Sequence, residues 1–303
     1  MSYDPTFQID LPIDVALATA IRAKIRAWIT SRWLTDLISV FGGQTPLRGS
    51  TDEILGVLET FSERWDYRRI ARERGAATDD ALRQGQGSAR WLSATTDLPH
   101  EIEMRIIDNA DHLGLVQGHK PSRSSYDYIV VLGGARLSCK LRPDLAAEVM
   151  RGGTHTDNVV LLGAARPVAD SERDATDTYA SGAADEFDLI IAGAQHAFGF
   201  DKTTYQEVRH DDHDNHNLSW VVKRFTTLFE NRELNLSAMS APSSDPLHRR
   251  ANSADTLVFF LDREDVRPES TLLLITSQIY VPYTQLEALR TIALPRRLLV
   301  ETI

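Results

Sequence analysis

The chain has 303 residues, 42% of them hydrophobic and 25% charged, with a formal net charge of -10. That is enough apolar material for a sizeable core, over a length that allows two domains or one large α/β unit with an appendage. The acidic balance excludes a general nucleic-acid or anionic-membrane binder, since phosphate contacts need a basic face, and leaves room for a local anion pocket. A single cysteine, Cys139, excludes an intramolecular disulfide and a cysteine-cluster metal site and fits a reducing cytoplasm. No apolar run reaches membrane-spanning length, and MSYDPTFQID lacks the layout of a secretory signal, so a cytosolic protein is expected.

From Asp10 to Gly42 the apolar residues fall at helical spacing, with Gly42 and Gly43 as a stop, which predicts one long helix or two. Ser50 and Glu53 match a capping box before Ile54, Leu55, Val57, Leu58 and Phe61, so a second helical stretch starts there. It runs into ERWDYRRIARERG, either a solvated helix face or a basic lip over a ligand. Gly75 to Gly87 reads as a polar loop, and helix resumes from about Pro99 to Leu113. Gly114, Gly118, Pro121 and a serine pair form a linker, placing the boundary between a helical region, 1–122, and a second domain, 123–303.

Beyond the boundary, short apolar runs predict strands at Tyr128–Leu132, Asn158–Leu162, Phe187–Ala192, Leu234–Met239, Thr271–Thr276 and Leu298–Thr302. Helices are expected over Arg142–Met150, Ser253–Leu261 and Pro282–Ile292. Apolar strands alternating with helices imply a doubly wound α/β fold, its mostly parallel sheet covered on both faces. The chain ends in a strand-like stretch, which leaves a trimmed natural C-terminus open.

Five stretches of this half, YIVVLGGARLSCKLRPDLAAEV, NVVLLGAARPVADSE, LIIAGAQ, RRANSADTL and LLLITSQIYVPYTQ, together resemble one family. It is the domain of unknown function found in YdcF, SanA and ElyC, and the resemblance covers roughly residues 126–303. It implies a Rossmann-like fold and a nucleotide-type or S-adenosylmethionine-like ligand. Where that family tends to carry a histidine and an arginine after its late Thr-Ser pair, this chain has Tyr280 and Tyr283.

The residues themselves point to the carboxyl ends of the strands. Gly133 and Gly134 allow close backbone approach, and the next helix start would favour an anion. No G-x-G-x-x-G and no P-loop is present. Arg136 and Arg142 are placed to grip phosphate or carboxylate, with Pro143 read as the first turn of a helix. Arg166 follows the second strand, with Glu172 nearby as an acid or base or as its ion-pair partner. Cys139 is a nucleophile candidate or a buried small apolar residue. His196, read as following a third strand, is a proton-transfer candidate.

The run His210, Asp211, Asp212, His213, Asp214, His216 carries metal-ligand residue types but no metalloprotease spacing, and fits a solvated acidic loop. APSSDPLHRRANSADT brings Ser243, His248, Arg249, Arg250 and Asn252 to a helix start, for anion recognition or for capping by Ser253 and Asp255. Thr276, Ser277, Tyr280 and Tyr283 follow the late strand, where hydroxyls can bond a ligand and rings can wall a pocket. The reading is a protein that takes an anionic small molecule, nucleotide- or S-adenosylmethionine-like. Enzyme, noncatalytic regulator and metal-dependent hydrolase stay open, as does self-association.

Overall fold

In the computed structural model of the chain, residues 15–45, 48–65, 98–168 and 170–303 are described. They divide into two compact units, one ending at Gly118 and one beginning at His119. The charged run from Asp66 to Gly75 and the glycine-containing stretch after it lie outside the described residues.

The described part of the first unit is helical. Helices α1 (Val15–Ile29) and α2 (Arg32–Val40) resolve the first stretch into two, because Ser31 caps α2 by accepting from the Leu34 amide at 3.2 Å. Helix α3 (Thr51–Ser62) begins with the expected capping box, Ser50 Oγ accepting from the Glu53 amide and Glu53 Oε2 from the Ser50 amide. Helix α4 (His100–His112) is the last of those described in this unit. Ile29, Leu34, Ile38, Ile54 and Leu113 form the core. The Asp36 carboxylate accepts from Arg105 Nε at 2.7 Å and from Asn109 Nδ2 at 2.6 Å, tying α2 to α4. The Arg105 hydrogen bond, followed by that of Asn109, lowers its pKa to about 2.

The second unit is built on a seven-stranded sheet: β1 (Tyr128–Leu132), β2 (Asn158–Leu162), β3 (Gln206–His210), β4 (Trp220–Phe229), β5 (Arg232–Ser240), β6 (Thr271–Ile275) and β7 (Leu299–Thr302), in the order β3-β4-β5-β2-β1-β6-β7. The pairs from β5 through β7 are parallel, whereas β3-β4 and β4-β5 are antiparallel. The intervening helices are α5 (Arg136–Arg151), α6 (Asp170–Ala180), α7 (Glu186–Phe198), α8 (Ser253–Arg263) and α9 (Val281–Ala288); after α9 the chain continues helically to Arg296.

Alternation along each strand explains the layers. Ile129, Val131, Val159, Leu161, Leu273 and Ile275 share a core with α5 and α7. Residues of the other face, such as Tyr128, meet α8, where the Tyr128 and Phe260 rings pack edge to face at 5.4 Å. Helices therefore cover both faces, which is why the central strands read as unbroken apolar runs.

Two expectations are corrected. Phe187–Ala192 is not a strand but the first half of α7, capped by Asp185 and ended by Gly199 at φ +73. It is apolar all round because it lies in the core between α5 and the sheet, and an all-apolar segment loses its helical periodicity. Helix α5 begins six residues before its expected start, so Pro143 sits inside it rather than in its first turn. Strands β3 and β4 were not anticipated. The β4-β5 hairpin turns on Glu230 and Asn231, both left-handed (φ 49 and 63), as a two-residue turn requires.

The entry to the second unit is fastened to its last strand. The Glu301 carboxylate, buried on β7, accepts from the Ser122 amide at 2.9 Å, from Ser122 Oγ at 2.7 Å and from the Tyr126 hydroxyl.

Candidate functional site

Because β5, β2, β1 and β6 run parallel, the loops leaving their carboxyl ends lie on one edge of the sheet. From β1 the chain moves one way to β2, then returns after β5 to β6 on the other side. The switch point between β1 and β6 is where neighbouring loops diverge and open α/β sheets leave a crevice.

Arg142 spans that point. Its Nη1 donates to the Leu132 carbonyl at 2.8 Å and to the Gly133 carbonyl, and its Nε and Nη2 donate to Ser277 Oγ at 3.2 and 3.1 Å. The guanidinium is buried and makes no ion pair among the described residues; burial lowers its pKa. Arg142 thus joins the two diverging strands from behind the glycine loop.

The glycines serve the fold itself. A Cβ on Gly133 would lie 2.4 Å from the Leu162 carbonyl oxygen, and Gly133 N donates to that same oxygen at 2.6 Å. A Cβ on Gly134 would lie 2.8 Å from Ser138 Cβ.

In front of the loop stands the N-terminus of α5. Its N-cap is Ala135, with no side-chain cap, while α7 is capped by Asp185 and α8 by Asn252. The first amides of a helix have no intrahelical acceptor, so those of Arg136, Leu137 and Ser138 point out of the helix end together with its positive dipole. An exposed apolar rim adjoins them: Leu137 and Leu141 on α5, and Ile279, Tyr280 and Tyr283 after β6. On the β2 side, Tyr179 of α6 donates its hydroxyl to the Arg136 carbonyl at 2.9 Å. Glu172 and Thr176 precede it at spacings that place all three on one helix face.

The remaining expected residues divide by position. Arg166 pairs with Glu186 of α7, not with Glu172, and both side chains are largely buried. Sequence reasoning missed Glu186 because it took this stretch for a strand; the Asp185 cap signal three residues before Asp188 could have revealed the helix. Thr276 is buried, its amide donating to the Ile303 carbonyl at 2.9 Å.

After β5, Arg249 is ion-paired with Asp255 and donates to Ser244 Oγ at 2.8 Å. His248 lies against Asp245 at 2.8 Å, and the buried Ser243 accepts from the Asp245 amide. Asn252, rather than Ser253, caps α8 in a capping box with Asp255, and Arg250 is half-buried beside them. This loop is on the same edge but organises itself around the start of α8.

His196 is not in the crevice. It sits in the last turn of α7, about 15 Å along the helix from Glu186. Next to it Ala197 accepts from Arg151 at the far end of α5, which marks the amino edge of the sheet. The histidine-aspartate run forms the β3-β4 connection, where Asp211 pairs with Arg209 and Asp212 accepts turn amides from Asp214 and Asn215. Among the described residues no group of three or more His, Cys, Asp or Glu is arranged to hold a metal ion. No described helix is long and apolar enough to cross a membrane.

Cys139 is fully buried, donates to the Gly134 carbonyl at 3.1 Å, and has its thiol pushed up to about 12 by burial. It is a protonated core group at neutral pH. Burial also raises Tyr179 to about 12, and burial with the Glu301 hydrogen bond raises Tyr126 well above the ordinary tyrosine range. The unfolded chain releases these protons first, so their contribution is complete below about pH 9 and is lost as pH rises toward the folded values. Chemical denaturation from pH 8 to 11 should therefore show stability falling, with a slope of about 1.4 kcal/mol per pH unit for each buried group ionised only in the unfolded state. A flat profile to pH 11 would contradict this burial.

Residues 14–114 match the Rv3785 N-terminal domain. Over 295 residues, 96% of the chain, the sequence is 36% identical to uncharacterized protein Rv3785 of Mycobacterium tuberculosis and to uncharacterized protein Mb3814 of Mycobacterium bovis, covering 82% of each. No solved structure matches the chain. On identity and coverage across both units, the chain belongs to the family of Rv3785.

Proposed function

We propose that the second unit is a Rossmann-like domain of a cytoplasmic protein that binds a small molecule through a phosphate or carboxylate seated on the N-terminus of α5. The observation that carries this reading is the uncapped first turn of α5 at the switch point of the sheet. The adjoining rim of Leu137, Ile279 and Tyr280 offers a surface for a flat apolar moiety, which favours a nucleotide- or S-adenosylmethionine-like ligand over a bare anion. The resemblance of residues 126–303 to YdcF, SanA and ElyC supports the same class.

The binding role is favoured over covalent catalysis by a specific observation. Cys139 is buried with its proton retained, and His196 lies at the opposite edge. Of the two proton-transfer candidates, Glu172 is the one carried by α6, the helix whose Tyr179 bonds the start of α5.

The test is thermal unfolding with nucleotides, S-adenosylmethionine and inorganic phosphate, in wild type and in Ala135→Asp. A carboxylate at residue 135 would cap α5 itself, raising ligand-free stability by about 1 kcal/mol and occupying the anion position. The expected result is a rise in wild-type midpoint, worth about 2.7 kcal/mol at a hundredfold excess over Kd, that Ala135→Asp removes. A wild-type midpoint unmoved by every probe would refute the proposal.

A further inference from the structure

The two edges of the sheet differ. Strand β7 is buried, its Val300 carbonyl accepting from Gln285 Nε2 of α9 at 2.9 Å and its Glu301 holding the entry segment. Strand β3, at the other edge, is exposed along all of Gln206–His210, and among the described residues no strand pairs with its outer side. Glu207 shows what meets solvent there. The residue is exposed although its side chain is only 23% exposed, so the open surface is main chain. Alternate residues of an edge strand point their N–H and C=O groups away from the sheet, as a template for another strand.

The devices that blunt such an edge are missing from β3. It holds no proline, and its register with β4 runs from Gln206 opposite Arg224 to His210 opposite Trp220 without a bulge. At its centre Val208 is 53% exposed, opposite the buried Val222. Charges are present, but Glu207 and Arg209 are of opposite sign and flank Val208 symmetrically. Within the chain Arg209 lies 3.4 Å from Glu207 and 2.7 Å from Asp211. Such exposed pairs are weak, so exchanging partners costs little.

That symmetry selects the occupant. When a second β3 lies antiparallel about a two-fold axis at Val208, Glu207 stands opposite the partner's Arg209, Arg209 opposite the partner's Glu207, and the two valines meet. A register shifted by two residues sets Glu207 against itself in one direction and Arg209 against itself in the other. A shift by one opposes residues of different faces. The strand therefore matches itself in one register.

We infer that β3 is a self-association surface: two copies of this chain join β3 to β3 antiparallel, centred on Val208, into one continuous sheet. The pairing uses none of the residues of the anion site.

Sedimentation equilibrium of the full chain, from micromolar to near-millimolar concentration, tests it. The wild type is expected to dimerise reversibly and weakly, as suits so short a pair of strands. Glu207→Arg and Arg209→Glu each place like charges opposite one another twice per dimer. Either change alone should raise the dissociation constant by about tenfold or more. An equimolar mixture of the two variants opposes unlike charges again and should recover about the wild-type dissociation constant, as should the double variant Glu207→Arg/Arg209→Glu. Mixing cannot rescue a variant that merely misfolds, so this recovery separates pairing from loss of fold. A wild type that stays monomeric throughout would overturn the inference. So would a dimer that both single changes leave intact, or a loss that neither mixing nor the double reversal restores.

Discussion

Arg142→Ala is expected to lower the stability of the second unit by about 3 kcal/mol, because it strands the Leu132 and Gly133 carbonyls and the Ser277 hydroxyl where β1 and β6 diverge. Each buried polar group left without a partner costs about 1 to 3 kcal/mol, and relief from burying a cation offsets part of the sum. For a unit of this size the midpoint should fall by roughly 10 °C. Arg142→Lys should recover little, since one ammonium cannot reach both strands as a planar fork does. Thermal unfolding of the two variants checks this. A midpoint within 2 °C of wild type (about 0.5 to 1 kcal/mol) would show that the crevice is held open by something else.

Gly193→Ala is expected to be worse than its helical position suggests. Alanine in a helix interior normally stabilises by about 1 kcal/mol relative to glycine. At Gly193, however, a Cβ would stand 2.1 Å from the Cys139 carbonyl oxygen of α5. That carbonyl belongs to the residue four before Pro143, which has no amide hydrogen to offer it. The gap in the α5 ladder and the bare Cα of Gly193 therefore meet, and they let the two helices approach backbone to backbone. Separating them costs about 3 kcal/mol by overpacking. Gly56→Ala in α3, where a Cβ meets nothing within 4 Å, is the control and should stabilise by about 1 kcal/mol. Denaturant titration of both variants decides the sign; stabilisation by Gly193→Ala would contradict the close crossing.

Much of this arrangement was legible in the chain. YIVVL, NVVLL and TLLLI read as strands because both faces of the sheet are covered, and Ser50-x-x-Glu53 named a helix start that the structure keeps. The misreading of Phe187–Ala192 has the same cause. A helix buried on all sides is as continuously apolar as a central strand, and only the flanking Asp185 and Gly199 distinguish it. Strand β4 was hidden because Lys223 and Arg224 interrupt its apolar residues.

Residue types at the site were legible, whereas partnerships were not. Arg142 and Arg249 were read as candidate anion holders and Arg166 as a neighbour of Glu172, but the chain gives no sign that Arg142 joins two strands or that Glu186 and Asp255 engage Arg166 and Arg249. Conversely, the uncapped Ala135 carries no motif; it is an absence, visible once the helix is known to start at Arg136.

The measurement that bears most directly on the central claim is a titration of the protein with inorganic phosphate followed by amide NMR. If the anion seats on the first turn of α5, the Arg136, Leu137 and Ser138 amide resonances move most and saturate together, and Ala135→Asp abolishes the movement. Saturable shifts confined to the Arg249–Arg250 loop, or no saturable shift at all, would contradict it.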